Sequence, residues 1–257
     1  MKINKGRQAK SRRILIYGEP GVGKSTLASQ FPNPIFLNLE DGIRDIDCDS
    51  TDKILSMGEF MQYVVVDLPA TDYNTIVIDT VDWLEKHLME SVAKKSGKAT
   101  IEDIGFGKGY QALERAWQEV FNGLSYLWNQ GRHIIFTCHE VVDRFSDPEG
   151  DGYNFYRPNL HRSGSSCVAE WCDEVLFCGY RRVARQADDG KRVVAAKGDR
   201  IIYANNTQAI EAKNRLGMPD QVPMAIESFF EYITKNEIKT DAINGIVVNG
   251  TSKGKAN

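Results

Sequence analysis

The segment Gly18-Glu19-Pro20-Gly21-Val22-Gly23-Lys24-Ser25 limits this chain more than any other. A glycine, four residues and then Gly-Lys-Ser is a phosphate-cradling pattern when a strand precedes it and a helix follows. Ile14 to Tyr17 is a short apolar run that reads as the strand, and Lys24 to Gln30 reads as the first turns of the helix. Glycines let backbone N–H groups close round a β-phosphate at the helix N-terminus. Lys24 would then reach the β and γ oxygens, and the Ser25 hydroxyl can ligate Mg²⁺. Gly18 through Ser25, extended by Thr26, is therefore the expected nucleotide-binding stretch, with Mg²⁺ as cofactor. No Asn-Lys-X-Asp guanine-reading run follows, so ATP is the expected nucleotide.

Strands alternate with helices up to residue 138. Ile35 to Leu39 is a buried strand after Pro32 and Pro34, and it ends in Glu40-Asp41-Gly42. Residues 57–68 fit either element, but Ser56 with Glu59 offers a capping box, which favours a helix. Ile76 to Asp79 is a strand, Val81 to Val92 a helix, and 94–109 a polar loop. The clearest helix is 110–129, where Leu113, Trp117, Val120, Phe121, Leu124 and Trp128 share one face. His133 to Cys138 is another buried strand.

Glu140 to Asn159 reads as a long loop. A short helix at 165–171, a strand at 174–180, hairpin material at 181–203 turning at Asp188-Asp189-Gly190, and a helix at 225–234 follow. This order calls for an α/β fold, a mostly parallel twisted sheet flanked by helices, with a strand-rich C-terminal extension. The domain reading is a basic segment at 1–12, one ATPase domain at 13–235 and a flexible tail at 236–257.

No apolar stretch approaches the length of a membrane span, and the basic N-terminus lacks the apolar run of a signal peptide, so a cytoplasmic protein is expected. Five cysteines, an odd number, read as free thiols; Cys167, Cys172, Cys178 and His161 are spaced too widely for a typical zinc set. A net charge of −3 means that any nucleic-acid site must be a local one.

Ligands of parallel sheets bind at the carboxyl ends of the strands. Asp79 ends an apolar strand there and is the expected second magnesium ligand after Ser25. Glu40 is the expected base for the attacking water, with Asp41 and Glu19 as competitors. Asp82 reads as an ordinary acid at a helix start. His139 follows Phe136-Thr137-Cys138 and is placed either to sense a γ-phosphate or to serve packing. Lys213 and Arg215 are spaced to share one side of a strand and to reach a neighbour's γ-phosphate. Residues 140–162 interleave Arg144, Phe145, Tyr153, Phe155, Tyr156, Arg157, His161 and Arg162, a mixture suited to single-stranded nucleic acid. Asp143, Asp147, Glu149 and Asp151 in the same stretch oppose it.

Taken in order, Ile-Tyr-Gly-Glu-Pro-Gly-Val-Gly-Lys-Ser, Phe-Leu-Asn-Leu-Glu-Asp-Gly, Val-Ile-Asp-Thr, Gly-Phe-Gly-Lys-Gly-Tyr, Thr-Cys-His-Glu and Ala-Lys-Asn-Arg-Leu-Gly resemble the bacteriophage RecA-core P-loop ATPases, including Sak-type proteins that anneal or pair single strands. The resemblance runs from Arg13 to Met224. It implies Glu40 as catalytic base, Asp79 as the second acidic element, and His139 in a switch position where RecA itself has glutamine. It implies loops 94–109 (Lys94, Lys95, Lys98, Lys108) and 140–162 as surfaces facing DNA. It further implies Lys213 and Arg215 acting in the adjacent subunit of a ring or filament, although no separate oligomerisation domain precedes the phosphate loop. The implied role is a DNA-stimulated ATPase of phage recombination or replication, with single-stranded DNA and a phage single-strand-binding protein as partners. An assembly or loading ATPase docked on a protein through 140–151 is the alternative, and a small-molecule kinase ranks third.

Overall fold

The computed structural model describes residues 11–145, 152–186 and 192–233, and of 182–197 the backbone alone. The basic segment before Ser11, the turn at Asp188-Asp189-Gly190, the acids Asp147, Glu149 and Asp151, and the tail lie outside the described residues.

The parallel sheet is built from β1 (Arg13–Gly18), β2 (Pro34–Asn38), β3 (Asp49–Ser50), β4 (Thr75–Asp79), β5 (His133–Phe145) and β7 (Glu174–Gln186). An antiparallel extension adds β6 (Tyr153–Pro158), β8 (Arg192–Tyr203), β9 (Lys213–Asn214) and β10 (Gln221–Pro223). Across the sheet the order is β10-β8-β7-β1-β5-β4-β2-β3, with β6 on β5 and β9 on β7. One strand, β5, therefore separates the strand that feeds the phosphate loop from the strand that ends in Asp79.

Side-chain alternation sends each strand into two cores. Leu15, Tyr17, Ile76, Ile78, Ile134 and Phe136 face one layer. Ile14, Ile16, Val77 and Ile135 face the other. Strands buried on both faces read as continuous apolar runs, which is why they were visible in the sequence. The first layer is covered by α2 (Met57–Gln62), α3 (Val81–Lys95), α4 (Lys108–Asn129) and α5 (Arg162–Trp171). The second is covered by α1 (Lys24–Ser29) and by α6, a helix over 226–233. Helix α4 is the longest, about 33 Å by its rise per residue. It buries Leu113, Trp117, Val120, Phe121, Leu124 and Leu127, and it stops at Gly131, whose φ of 93° no β-carbon favours.

The ambiguous stretch is helical. The Ser56 Oγ accepts the Glu59 N–H at 3.3 Å, and the Glu59 carboxylate accepts the Leu55 N–H at 2.8 Å. The helix then widens into a π turn over Tyr63–Asp67, where the Val64-Val65-Val66 run crowds the regular spacing.

The expectation of a long loop over 140–159 is corrected. Strand β5 continues unbroken through Phe145, and β6 returns beside it with Glu140 opposite Pro158 and Phe145 opposite Tyr153. Phe145 stacks on Tyr153 with centroids 5.5 Å apart, and Arg157 donates to Asp143 at 2.7 Å. Such cross-strand pairs are what stabilise a two-stranded ribbon.

Candidate functional site

At the carboxyl end of β1 the chain turns through Gly18–Gly23 into α1. A β-carbon on Gly18 would lie 2.2 Å from the Cys178 carbonyl oxygen, so no larger residue fits there. Gly23 caps α1 with φ 105°, a left-handed conformation that a side chain resists. Lys24 is 6% exposed, and its ammonium donates to the Gly18 and Glu19 carbonyls at 3.0 and 3.1 Å. Burial pushes its pKa down, while the nearby thiols of Cys178 and Cys138 and the Asp79 carboxylate pull it back up. The lysine thus spans the loop interior, where phosphate oxygens would take over its hydrogen bonds.

Ser25 Oγ donates to Asp79 Oδ1 at 3.1 Å. The Thr137 hydroxyl, on the intervening strand β5, donates to the same oxygen. Burial raises the pKa of Asp79 from its ordinary value, against the lowering effect of those two hydrogen bonds and of Lys24. A hydroxyl and a buried carboxylate converging beside the phosphate loop fit Mg²⁺, which takes one or two protein oxygens and completes its shell with water and phosphate.

Glu40 follows β2 and stands one strand further on. Its Oε2 accepts the Thr80 hydroxyl at 3.2 Å, and its Oε1 lies 3.6 Å from His139 Nε2. Asp41, its expected competitor, is tied to Arg44 at 2.8 Å. Nδ1 of His139 faces Asp82 Oδ2 at 3.1 Å. Asp82 is 4% exposed and is no ordinary helix-start acid, which corrects the sequence reading. Lys24, Ser25, Glu40, Asp79 and His139 therefore lie together at one end of the sheet.

Lys213 and Arg215 are not brought to that end. Strand β9 pairs with the start of β7, at the amino end of the parallel strands. The Lys213 ammonium donates to the carbonyls of Ala169, Glu170 and Cys172 and so closes the C-terminus of α5. Arg215 pairs with Asp173 at 3.0 Å, with about half of its side chain exposed.

Two elements project beside the phosphate-loop end. The first is the β5–β6 ribbon, on which Phe145 is 42% exposed and Arg144 is exposed. Tyr156, which had been expected to stack on a ligand, instead packs inward against Phe177 at 5.3 Å. Arg157 is likewise spent on Asp143 and on the carbonyls of Pro158 and Leu160. The second is the turn before α4, where Phe106 is fully exposed at φ 51° between Gly105 and Gly107, next to the exposed Lys108. Tyr110, one helical turn later, stacks on His161 with centroids 4.0 Å apart. That contact places the turn at the base of the ribbon.

Sequence reasoning also missed Thr80, Thr137 and Arg200. A guanidinium nitrogen of Arg200, on β8, lies 2.9 Å from where a β-carbon on Gly23 would stand, so the extension reaches back over the phosphate loop. Nothing in the local sequence marks this arginine; only the order β8-β7-β1 brings it there.

A family profile described as an AAA domain matches residues 10–216. No curated protein matches the chain. Among solved structures, a KaiC-like protein from the hyperthermophilic archaeon Pyrococcus horikoshii OT3 is similar at 15% identity, covering 83% of this chain and 85% of that one with a TM-score of 0.48. Among the described residues, no helix is long and apolar enough to cross a membrane.

Proposed function

The chain belongs to the AAA-domain family, and from that premise we propose that it binds ATP on the Gly18–Thr26 stretch, hydrolyses it, and does so in response to single-stranded DNA. The observation that carries the hydrolytic part is the convergence of Lys24, the Ser25–Asp79 pair and Glu40 at the carboxyl end of the sheet. In this reading Glu40 takes a proton from water, and the water oxygen forms a bond to the γ-phosphorus. The bond from that phosphorus to the β–γ bridging oxygen breaks, so ADP and inorganic phosphate leave. Lys24 and the loop N–H groups hold the charge that gathers on the departing oxygens. Ser25 and Asp79 would hold Mg²⁺, which when bound neutralises phosphate charge.

The DNA part is supported by the two projecting elements, each of which offers an exposed aromatic beside a cation: Phe106 with Lys108, and Phe145 with Arg144. Aromatic faces stack on bases of any sequence, and cations meet the phosphates. Subunits would associate in a ring or filament, with Arg215 reaching the neighbour's γ-phosphate from the exposed side of its pairing with Asp173.

The test is phosphate release from ATP, with and without single-stranded DNA at one fixed salt concentration. Lys24→Ala and Glu40→Gln serve as controls. Stimulation that both variants abolish supports the reading. Mutant-sensitive turnover indifferent to DNA would replace the strand with a protein partner.

A further inference from the structure

Asp82 belongs to none of the motifs, yet it makes the best-defined contact of the switch histidine. Its Oδ1 accepts the His139 backbone N–H at 3.4 Å and its Oδ2 faces Nδ1 at 3.1 Å, so main chain and ring are gripped together. Facing a carboxylate, Nδ1 must carry its hydrogen. That leaves Nε2 aimed at Glu40 Oε1, 3.6 Å away, while the other oxygen of Glu40 is held by Thr80. The chain of contacts joins α3 to the end of β5 and then to the end of β2.

From this geometry we propose that Asp82 is a positioning residue of the hydrolytic site: it fixes the main chain and ring of His139 at the end of β5, so that Nε2 stays aimed at Glu40. The inference rests on the ATP reading given above. The charged groups facing His139 are Asp82 from α3, Glu40 beyond β2, Asp79 at the end of β4 and Lys24 from α1; three are acids and one is a cation. The hydrogen bond to Asp82 raises the histidine's pKa above its ordinary 6.5; burial opposes this, and Glu40 adds to it.

With the ring free to turn, Glu40 would lose the contact that, together with the Thr80 hydroxyl, sets the direction of its carboxylate. No bond is made or broken in this arrangement.

The deciding experiment is an NMR titration of the histidine side chains in the full-length, nucleotide-free protein, with His139→Asn identifying the resonance. It is run on the wild type and on Asp82→Asn, with urea unfolding to confirm that the variant folds. In the wild type His139 should titrate above 6.5, and in Asp82→Asn its pKa should fall.

In turnover, Asp82→Asn should lower kcat by about 10²-fold with little change in KM. The alkaline limb of its kcat profile should move to lower pH, while Asp82→Glu restores part of the loss. An unchanged His139 titration in Asp82→Asn, or an unmoved alkaline limb, would overturn the positioning role. Absence of Lys24-dependent hydrolysis in the wild type would instead sink the ATP reading, and the nucleotide-free titration would still decide the link between Asp82 and His139.

Discussion

Ser25 and Asp79 are 54 residues apart, yet the serine hydroxyl meets the carboxylate at 3.1 Å across the end of β5. The contact ties the first turn of α1 to the strand that ends two positions across the sheet. If the pair holds Mg²⁺, Ser25→Ala should raise the Mg²⁺ concentration required for half-maximal turnover and lower the rate at saturation, with the fold intact. Phosphate release across a Mg²⁺ titration measures this. A curve superimposable on the wild type's would remove Ser25 from the metal site.

Gly18 has no room for a β-carbon, because the Cys178 carbonyl oxygen occupies that space. Gly18→Ala should therefore destabilise the protein by about 1–3 kcal/mol, the usual cost of overpacking. Gly21→Ala, by contrast, meets nothing and strains only its own backbone at φ 76°. Urea midpoints of the two variants should rank in that order.

Glu174 is fully buried at the start of β7, with no hydrogen-bond partner for either side-chain oxygen and Arg12 at 3.6 Å. Burial pushes its pKa up to about 7, although Arg12 pulls the other way. A carboxyl whose folded pKa exceeds its unfolded one binds its proton more tightly in the folded state. It therefore favours folding fully below the unfolded value near 4.5, and that contribution is lost as pH rises through about 7. Glu174→Gln should raise Tm at pH 8 and change it little at pH 5. Thermal melts at the two pH values check the sign, and equal shifts at both would contradict the burial argument.

Phe106 and Tyr156 should behave oppositely. Phe106→Ala removes a fully exposed ring and should weaken single-strand binding by about 1–3 kcal/mol with no change in Tm. Tyr156→Ala removes a ring packed on Phe177 and should lower Tm instead. Fluorescence anisotropy with a labelled oligonucleotide, beside a thermal melt, separates the two. Full affinity in Phe106→Ala would take that turn out of the strand-binding surface.

If Arg215 reaches a γ-phosphate, it must be a neighbour's, because its own phosphate loop is at the far end of the sheet. Mixing inactive Arg215→Ala with inactive Lys24→Ala should then restore part of the turnover, since one variant lends its arginine and the other its phosphate loop. Mixtures as inactive as their components would leave Arg215 a structural partner of Asp173.

The parts of the site that could be read in the sequence are those that a strand end announces locally. The phosphate loop carries its whole pattern in eight residues, and Asp79 and Glu40 each close an apolar run. Asp82 could not be read this way. An acid in the first turn of a helix looks the same whether it faces solvent or a histidine 57 positions later, and only the pairing of β4 with β5 decides. The β5–β6 ribbon is masked in the sequence because the breakers of Asp147-Pro148-Glu149-Gly150 separate two short strand-forming runs, Val141 to Phe145 and Tyr153 to Arg157. Lys213 illustrates another limit. Its spacing from Arg215 suggests a pair, but three carbonyls at the end of α5 claim its ammonium, while Arg215 pairs with Asp173.

Strand β5 passes without a break from the sheet into the ribbon, with His139 at the point of departure. The six residues from Glu140 to Phe145 make an arm of roughly 20 Å at the rise of an extended strand. An arm with no joint in it magnifies whatever happens at its root. A tilt of about ten degrees beside His139 would carry Phe145 through about 3 Å, close to the thickness of one stacked base. The hydrolytic centre would then have a mechanical lever already attached, and its stroke would be set by strand length alone.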